Sequence, residues 1–140
     1  MASVIYNGFK KKIMDGSIDL DTDTIKVALV TSTYTPNIDT HVFFSDITNE
    51  VSGTGYSAGG SALANKSVTQ DNTNDLGYFD ADDLSWTSST ITARGAVIYK
   101  STGVSSTSPL IGYIDFSTDK VTSNGTFTIT WASNGILSLA

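Results

Sequence analysis

The sequence predicts a mainly β protein: an antiparallel β-sandwich or jelly roll with one short N-terminal helix. Three observations carry that expectation. Thr126-Phe127-Thr128-Ile129-Thr130-Trp131 alternates hydroxylated with oily side chains. Successive strand residues face opposite ways, so this segment has one face for a core and one for water or a partner. The acids are nearly all aspartate, with Glu50 the sole glutamate; aspartate favours turns and caps, glutamate helix interiors. Serine and threonine make up roughly a quarter of the chain, well above ordinary usage.

The helix is expected over residues 3–15. Ser3 is placed to cap its start and Gly16 to end it. Ile5, Phe9 and Ile13 recur at i, i+4 and i+8, one apolar stripe that Tyr6 and Met14 widen. Lys10, Lys11 and Lys12 lie toward the C-terminal end, where cations suit the helix dipole. Gly8 weakens the helix, so residues 1–16 read as an arm that orders on docking.

Ile25, Val27 and Leu29 alternate with Lys26, Ala28 and Val30, a strand over 24–31. Residues 33–40 form a loop, and Thr40 is placed to cap a helical turn through Val42-Phe43-Phe44. Gly53, Gly55, Gly59 and Gly60 punctuate an irregular stretch, giving it the backbone freedom to cross another segment closely. Further strands are expected over 61–69, 77–80, 83–87, 90–100, 109–116, 125–131 and 135–139. Turn clusters separate them, including residues 71–75, 117–119 and the tight-turn pair Asn124-Gly125. Short strands broken by turns suit a sandwich or barrel. The expected core comprises Ile25, Val27, Leu29, Val97, Tyr99, Ile114, Phe116, Phe127, Ile129 and Trp131.

At 140 residues the chain reads as one β domain over 1–140, large enough to bury a core without staples. It has no cysteine, so neither disulfides nor thiolate metal sites enter. A net charge of −6 argues against a non-specific nucleic-acid binder. No signal peptide and no run long enough to span a membrane is visible, so neither nucleic acid nor membrane is expected as a partner.

Little of the sequence reads as catalysis. The one histidine, His41, lies in a loop and reads as a surface or packing residue. Asp80, Asp82 and Asp83 offer oxygen ligands for calcium, but their spacing is not that of an EF-hand, and capping of turns is the plainer use. Tyr34, Tyr56, Tyr78, Trp86, Tyr99, Tyr113 and Trp131 are of the type that stacks on sugars, yet they sit mostly in strand patterns that suit packing. No phosphate loop follows the glycines. No enzyme activity and no cofactor are expected.

Several phrases recur as an ordered set: Tyr34-Thr35-Pro36-Asn37, Gly53-Thr54-Gly55-Tyr56, Phe79-Asp80-Ala81-Asp82-Asp83 with Trp86, Ile91-Thr92-Ala93-Arg94, Pro109 to Phe116, and Asn124 to Trp131. Together they resemble a family of small tailed-bacteriophage virion structural proteins, over about residues 4–139. The resemblance implies a virion component made in the host cytoplasm, without catalytic residues. A capsid decoration (cement) role is the first expectation, because the chain is short and its hydroxylated faces suit broad neutral contacts. The expected partners are the major capsid protein or other virion proteins and further copies of the chain, as a dimer or trimer. A tail or baseplate accessory, or a glycan-binding module, is the alternative. For docking, the candidates are Tyr6, Phe9, Lys10, Lys12, Phe43 and Phe44, large or charged groups outside the expected β core.

Overall fold

The computed structural model describes residues 2–140. Among the described residues are ten strands and one α-helix: β1 (Val4–Ile5), α1 (Asn7–Met14), β2 (Ile25–Val30), β3 (Ser61–Ala62), β4 (Ser67–Asp71), β5 (Leu76–Asp80), β6 (Leu84–Ser89), β7 (Thr92–Lys100), β8 (Leu110–Val121), β9 (Gly125–Ile129) and β10 (Leu137–Leu139). They form a five-stranded sheet β1-β8-β7-β2-β3, a three-stranded sheet β10-β5-β4 and a ribbon β6-β9. Every pairing is antiparallel. The expected fold class holds. The layering is sandwich-like, with the two small sheets lying over one face of the large one. A jelly roll would divide eight strands between two sheets.

The pleat sorts the core. Ile25, Val27 and Leu29 of β2, Ala96 and Ile98 of β7 and Ile111 of β8 share one face, and they pack with Phe79, Leu84, Trp86, Phe127 and Ile129 of the small sheets. The opposite face carries Ala28, Val30, Val97, Tyr99, Leu110 and Tyr113, and it too is buried. Its cover is the segment around Tyr6 and the loop after β2, which contributes Tyr34, Phe44 and Ile47. This double burial explains why β2 reads Ile-Lys-Val-Ala-Leu-Val rather than alternating cleanly with polar residues. In β9 the alternation is clean: Phe127 and Ile129 are buried while Thr126, Thr128 and Thr130 are exposed. Of the expected core, Ile114, Phe116 and Trp131 are only half-buried, packed against its margin.

The N-terminal reading needs correction. Residues 4–5 are a strand, in register with Tyr113 and Gly112, so the helix begins at Asn7. Ser3 does not cap it; its hydroxyl accepts the Asp115 amide at 2.9 Å. Tyr6 is fully buried and Phe9 nearly so. The segment is thus woven into the domain rather than held out as an arm. Gly16, at φ +78, does end the helix, and the Ser17 amide reaches back to the Lys12 carbonyl. The turn expected through residues 42–44 comes slightly later, as a 3-10 turn over Phe44–Asp46. Its cap is Asp46, whose carboxylate accepts the Val42 and Phe43 amides; the Thr40 amide instead turns to Asn37.

Two further differences share one cause. The expected strand over 61–69 divides into β3 and β4, because β3 completes the large sheet while β4 joins the small one. The turn expected at 117–119 is a bulge within β8. Ala93 faces Lys120 and Gly95 faces Asp115, so β8 holds three more residues than β7 between those pairs, with Ser117 at φ +68. Turn chemistry was present, but flanking pairing kept the strand going.

Gly60 shows how tightly the glycine-rich stretch crosses β2. Its φ is +75, and a Cβ there would stand 1.8 Å from the Val27 carbonyl oxygen. Gly60→Ala therefore meets a backbone atom as well as an unfavourable left-handed conformation. It is expected to lose about 2 kcal/mol or more of stability, read as a shifted denaturant midpoint. An unchanged midpoint would show that this crossing is not as close as described.

Candidate interaction surface

Glu50, His41 and the inner tyrosines are engaged in holding loops. Glu50 accepts the Tyr56 hydroxyl at 2.6 Å and the Gly59 amide at 2.7 Å. The Tyr56 oxygen in turn accepts the Leu29 amide at 3.0 Å, standing in for a strand partner at the outer edge of β2. Tyr99 donates to the Gly59 carbonyl at 2.6 Å. On the same side of the large sheet, the Tyr6 and Tyr34 hydroxyls lie 2.8 Å apart, and Tyr34 lies 2.9 Å from His41 Nδ1. The Asn37 amide donates to that nitrogen at 3.2 Å, so the neutral ring carries its proton on Nε2. His41 thus ties its own loop to the core rather than facing a nucleophile.

The docking candidates divide. Tyr6 and Phe9 are core residues and present nothing to a partner; this corrects their place on the list. Phe44 is half-buried and stacked on Tyr99, with ring centroids 4.2 Å apart and planes at 16°. Phe43 is half-buried under the Lys12 ammonium, 5.6 Å from its ring centroid, a cation–π contact at the surface. Lys10 is exposed and donates to Asn7 Oδ1 at 3.0 Å. Only Lys10, Lys12 and the rim of Phe43 remain as surface groups. Deleting residues 2–12 would remove core side chains and so could not isolate a docking role.

The three aspartates named for calcium each hold a separate partner. Asp80 accepts the Ala81 amide, Asp82 the Asn65 side-chain amide at 2.6 Å and Asp83 the Trp131 amide at 2.9 Å. The Trp131 indole donates to the Asp82 carbonyl at 3.0 Å. Among the described residues, no three His, Asp or Glu side chains converge as metal ligands would.

What the chain offers instead is surface. Ser85, Thr87, Thr126, Thr128 and Thr130 are exposed on the outer face of β6-β9, with Ser85 and Thr128 hydroxyls 3.1 Å apart across the strands. β9 pairs with β6 alone among the described residues, so its other edge is open. That edge borders a cleft of about 740 Å³ against β8, lined by Ile114, Phe116, Phe127, Ile129 and Ile136 among others. The cleft is the unclosed seam of the sandwich. It exists because β8 runs on past β1, which covers only Gly112 and Tyr113. The threonine alternation foretold the hydroxylated face. The seam depends on strand order, which periodicity does not carry.

Burial pushes the phenols of Tyr34 and Tyr99 up to about 12. It pushes those of Tyr6 and Tyr56 further, helped by the hydrogen bonds to Tyr34 and Glu50 respectively. A raised folded-state value contributes stability that is complete below the ordinary 10.0 and is lost as pH rises above it. In an absorbance titration, these tyrosines are expected to stay neutral past pH 10 and to ionise together with unfolding. Gradual ionisation of all six tyrosines near pH 10, with the fold intact by circular dichroism, would contradict the buried network.

Compared with family models, curated proteins and solved structures, the chain matches none.

Proposed function

We propose that this chain is a structural component of a tailed-phage particle, a decoration protein that stabilises the head by surface contact. The observation that carries the reading is the β6-β9 ribbon: a neutral, hydroxylated outer face beside an open strand edge and an apolar seam. Hydroxyl ladders and free strand edges supply many uncharged hydrogen bonds over a broad contact. The ordered phrases that resemble small virion proteins support the same reading. So does the use of Glu50, His41 and the buried tyrosines for loop anchoring, which leaves the polar interior to structure.

Decoration works by linkage. A protein that binds only the assembled shell stabilises it by mass action, and many copies multiply a modest contact. On this reading the partner is the major capsid protein, and the bound face is neutral enough for the chain's net negative charge to matter little there.

The test uses purified protein and capsids that lack it. Co-sedimentation with capsids and greater tolerance of the capsids to heat are expected. Thr128→Asp places a carboxylate in the middle of the contact face while leaving an exposed position exposed in the free protein. It is expected to weaken co-sedimentation by about tenfold or more, since an unpaired charge in a contact costs over about 1.4 kcal/mol, with the melting temperature unchanged. Binding to isolated tails or to host glycans, with none to any head form, would overturn the head assignment.

A further inference from the structure

The backbone of β9 says what the seam beside it is built to hold. In an antiparallel ladder the N–H and C=O of one residue point to the same side, and the side alternates along the strand. The Gly125 carbonyl accepts the Ser89 hydroxyl at 3.0 Å, and the Trp131 amide donates to Asp83, just ahead of β6, at 2.9 Å. The odd-numbered residues of β9 therefore face β6. Thr126, Thr128 and Thr130 turn their N–H and C=O groups to the seam, which all three line.

Free strand edges are normally blunted by shortness, charge, proline, bulges or cover. The other edges of this molecule follow that rule. β1 and β3 have two residues each and β10 has three. β4 ends on Asp71, with Lys66 just before it. β6 is bulged between Trp86 and Ser89. Past β1, the edge of β8 is broken by its own bulge, and Ser3 takes the Asp115 amide there. Among the described strands, β9 alone presents a regular, uncharged edge, Gly-Thr-Phe-Thr-Ile.

A row of outward N–H and C=O groups at the strand repeat is matched by another extended backbone. A five-residue strand is about 17 Å long and takes up about 4.8 Å of width and about 10 Å of depth in packed sheets, on the order of 800 Å³. The seam holds about 740 Å³, room for one strand. A second copy of the chain does not fit this slot, because its β9 carries β6 along the other edge and would bring two strands. The occupant is a single extended segment. Its inward side chains meet Ile114, Phe116, Phe127 and Ile129, so alternate residues are apolar, and its outward ones continue the threonine face.

We infer that the seam accepts an extended arm of the shell protein, which joins β6-β9 as a third strand hydrogen-bonded to Thr126, Thr128 and Thr130. This rests on the reading of the ribbon as the contact face, and the test separates the two. Hydrogen exchange is measured on the free protein and on the protein bound to capsids that lack it. The amides of Thr126, Thr128 and Thr130 are expected to exchange fast when free and to slow on the capsid. Thr128→Pro removes one outward amide hydrogen at an exposed edge position, where proline is tolerated. It is expected to weaken co-sedimentation by about tenfold or more with the melting temperature preserved. Thr128→Val keeps that hydrogen, loses only the hydroxyl and is expected to bind nearly as the wild type does. A parallel arm titrates the protein with a capped heptapeptide of alternating threonine and valine, and amide shifts centred on the same three residues are expected. Capsid binding without slowed exchange at these amides, or equal losses in the two variants, overturns the inference and leaves the decoration reading standing. Shifts with the peptide but no binding to capsids remove the decoration reading and keep the strand-accepting edge. No response to either probe overturns both.

Discussion

Burial of the large sheet on both faces is the constraint on which the rest of the structure depends. Each fully buried Val, Leu or Ile there contributes about 1.5–3 kcal/mol. On one face the cover is strands, whose backbones bring their own hydrogen bonds. On the other face the cover is the N-terminal segment and the loop after β2, whose backbones pair with the sheet only at intervals, as the Tyr6 amide does with the Ile111 carbonyl and the Phe44 amide with the Ser108 carbonyl. An unpaired buried polar group costs about 1–3 kcal/mol, so this cover is stable only if something else satisfies it. Tyrosine is the solution used. Its ring fills the layer and its hydroxyl reaches a backbone or carboxylate partner. On that face Tyr99 holds Gly59, while on the strand-covered face Tyr56, packed against Trp86, completes β2 at Leu29. Tyr6, Tyr34 and His41 join strand, helix and loop. Among the described residues, no buried side-chain nitrogen or oxygen lacks a partner.

The same constraint separates what was legible in the sequence from what was not. Where one face is wet, the period of two is plain, and β9 was read from it directly. Where both faces are buried, as in β2, the strand was legible from its apolar run, but the second buried face was not. Tyr6 and Phe9 show the consequence. They stand outside any strand pattern, so they resembled surface anchors; they are buried because the face they cover was not foreseen. Ser3 misled for a related reason. A hydroxyl before an apolar stripe is a helix-start signal, but the edge of β8 was open to residues 4–5 and pairing took them first. Glu50 gave a usable signal: a lone glutamate among aspartates, close to Tyr56 and Gly59, which it binds.

Strand order, which the pattern does not encode, decides where the molecule is unfinished. β8 outruns β1 and leaves the seam beside β9. β5 carries Gly77 where a side chain would have closed the sheet beneath α1. Both openings are apolar within; the seam is rimmed by threonines with Asp119 and Lys120, and the groove beneath α1 by Asp19 and Asp21. Exposed strand edges are a hazard in a free monomer. Here hydroxylated strands, aspartate-rich turns and net negative charge keep such edges solvated.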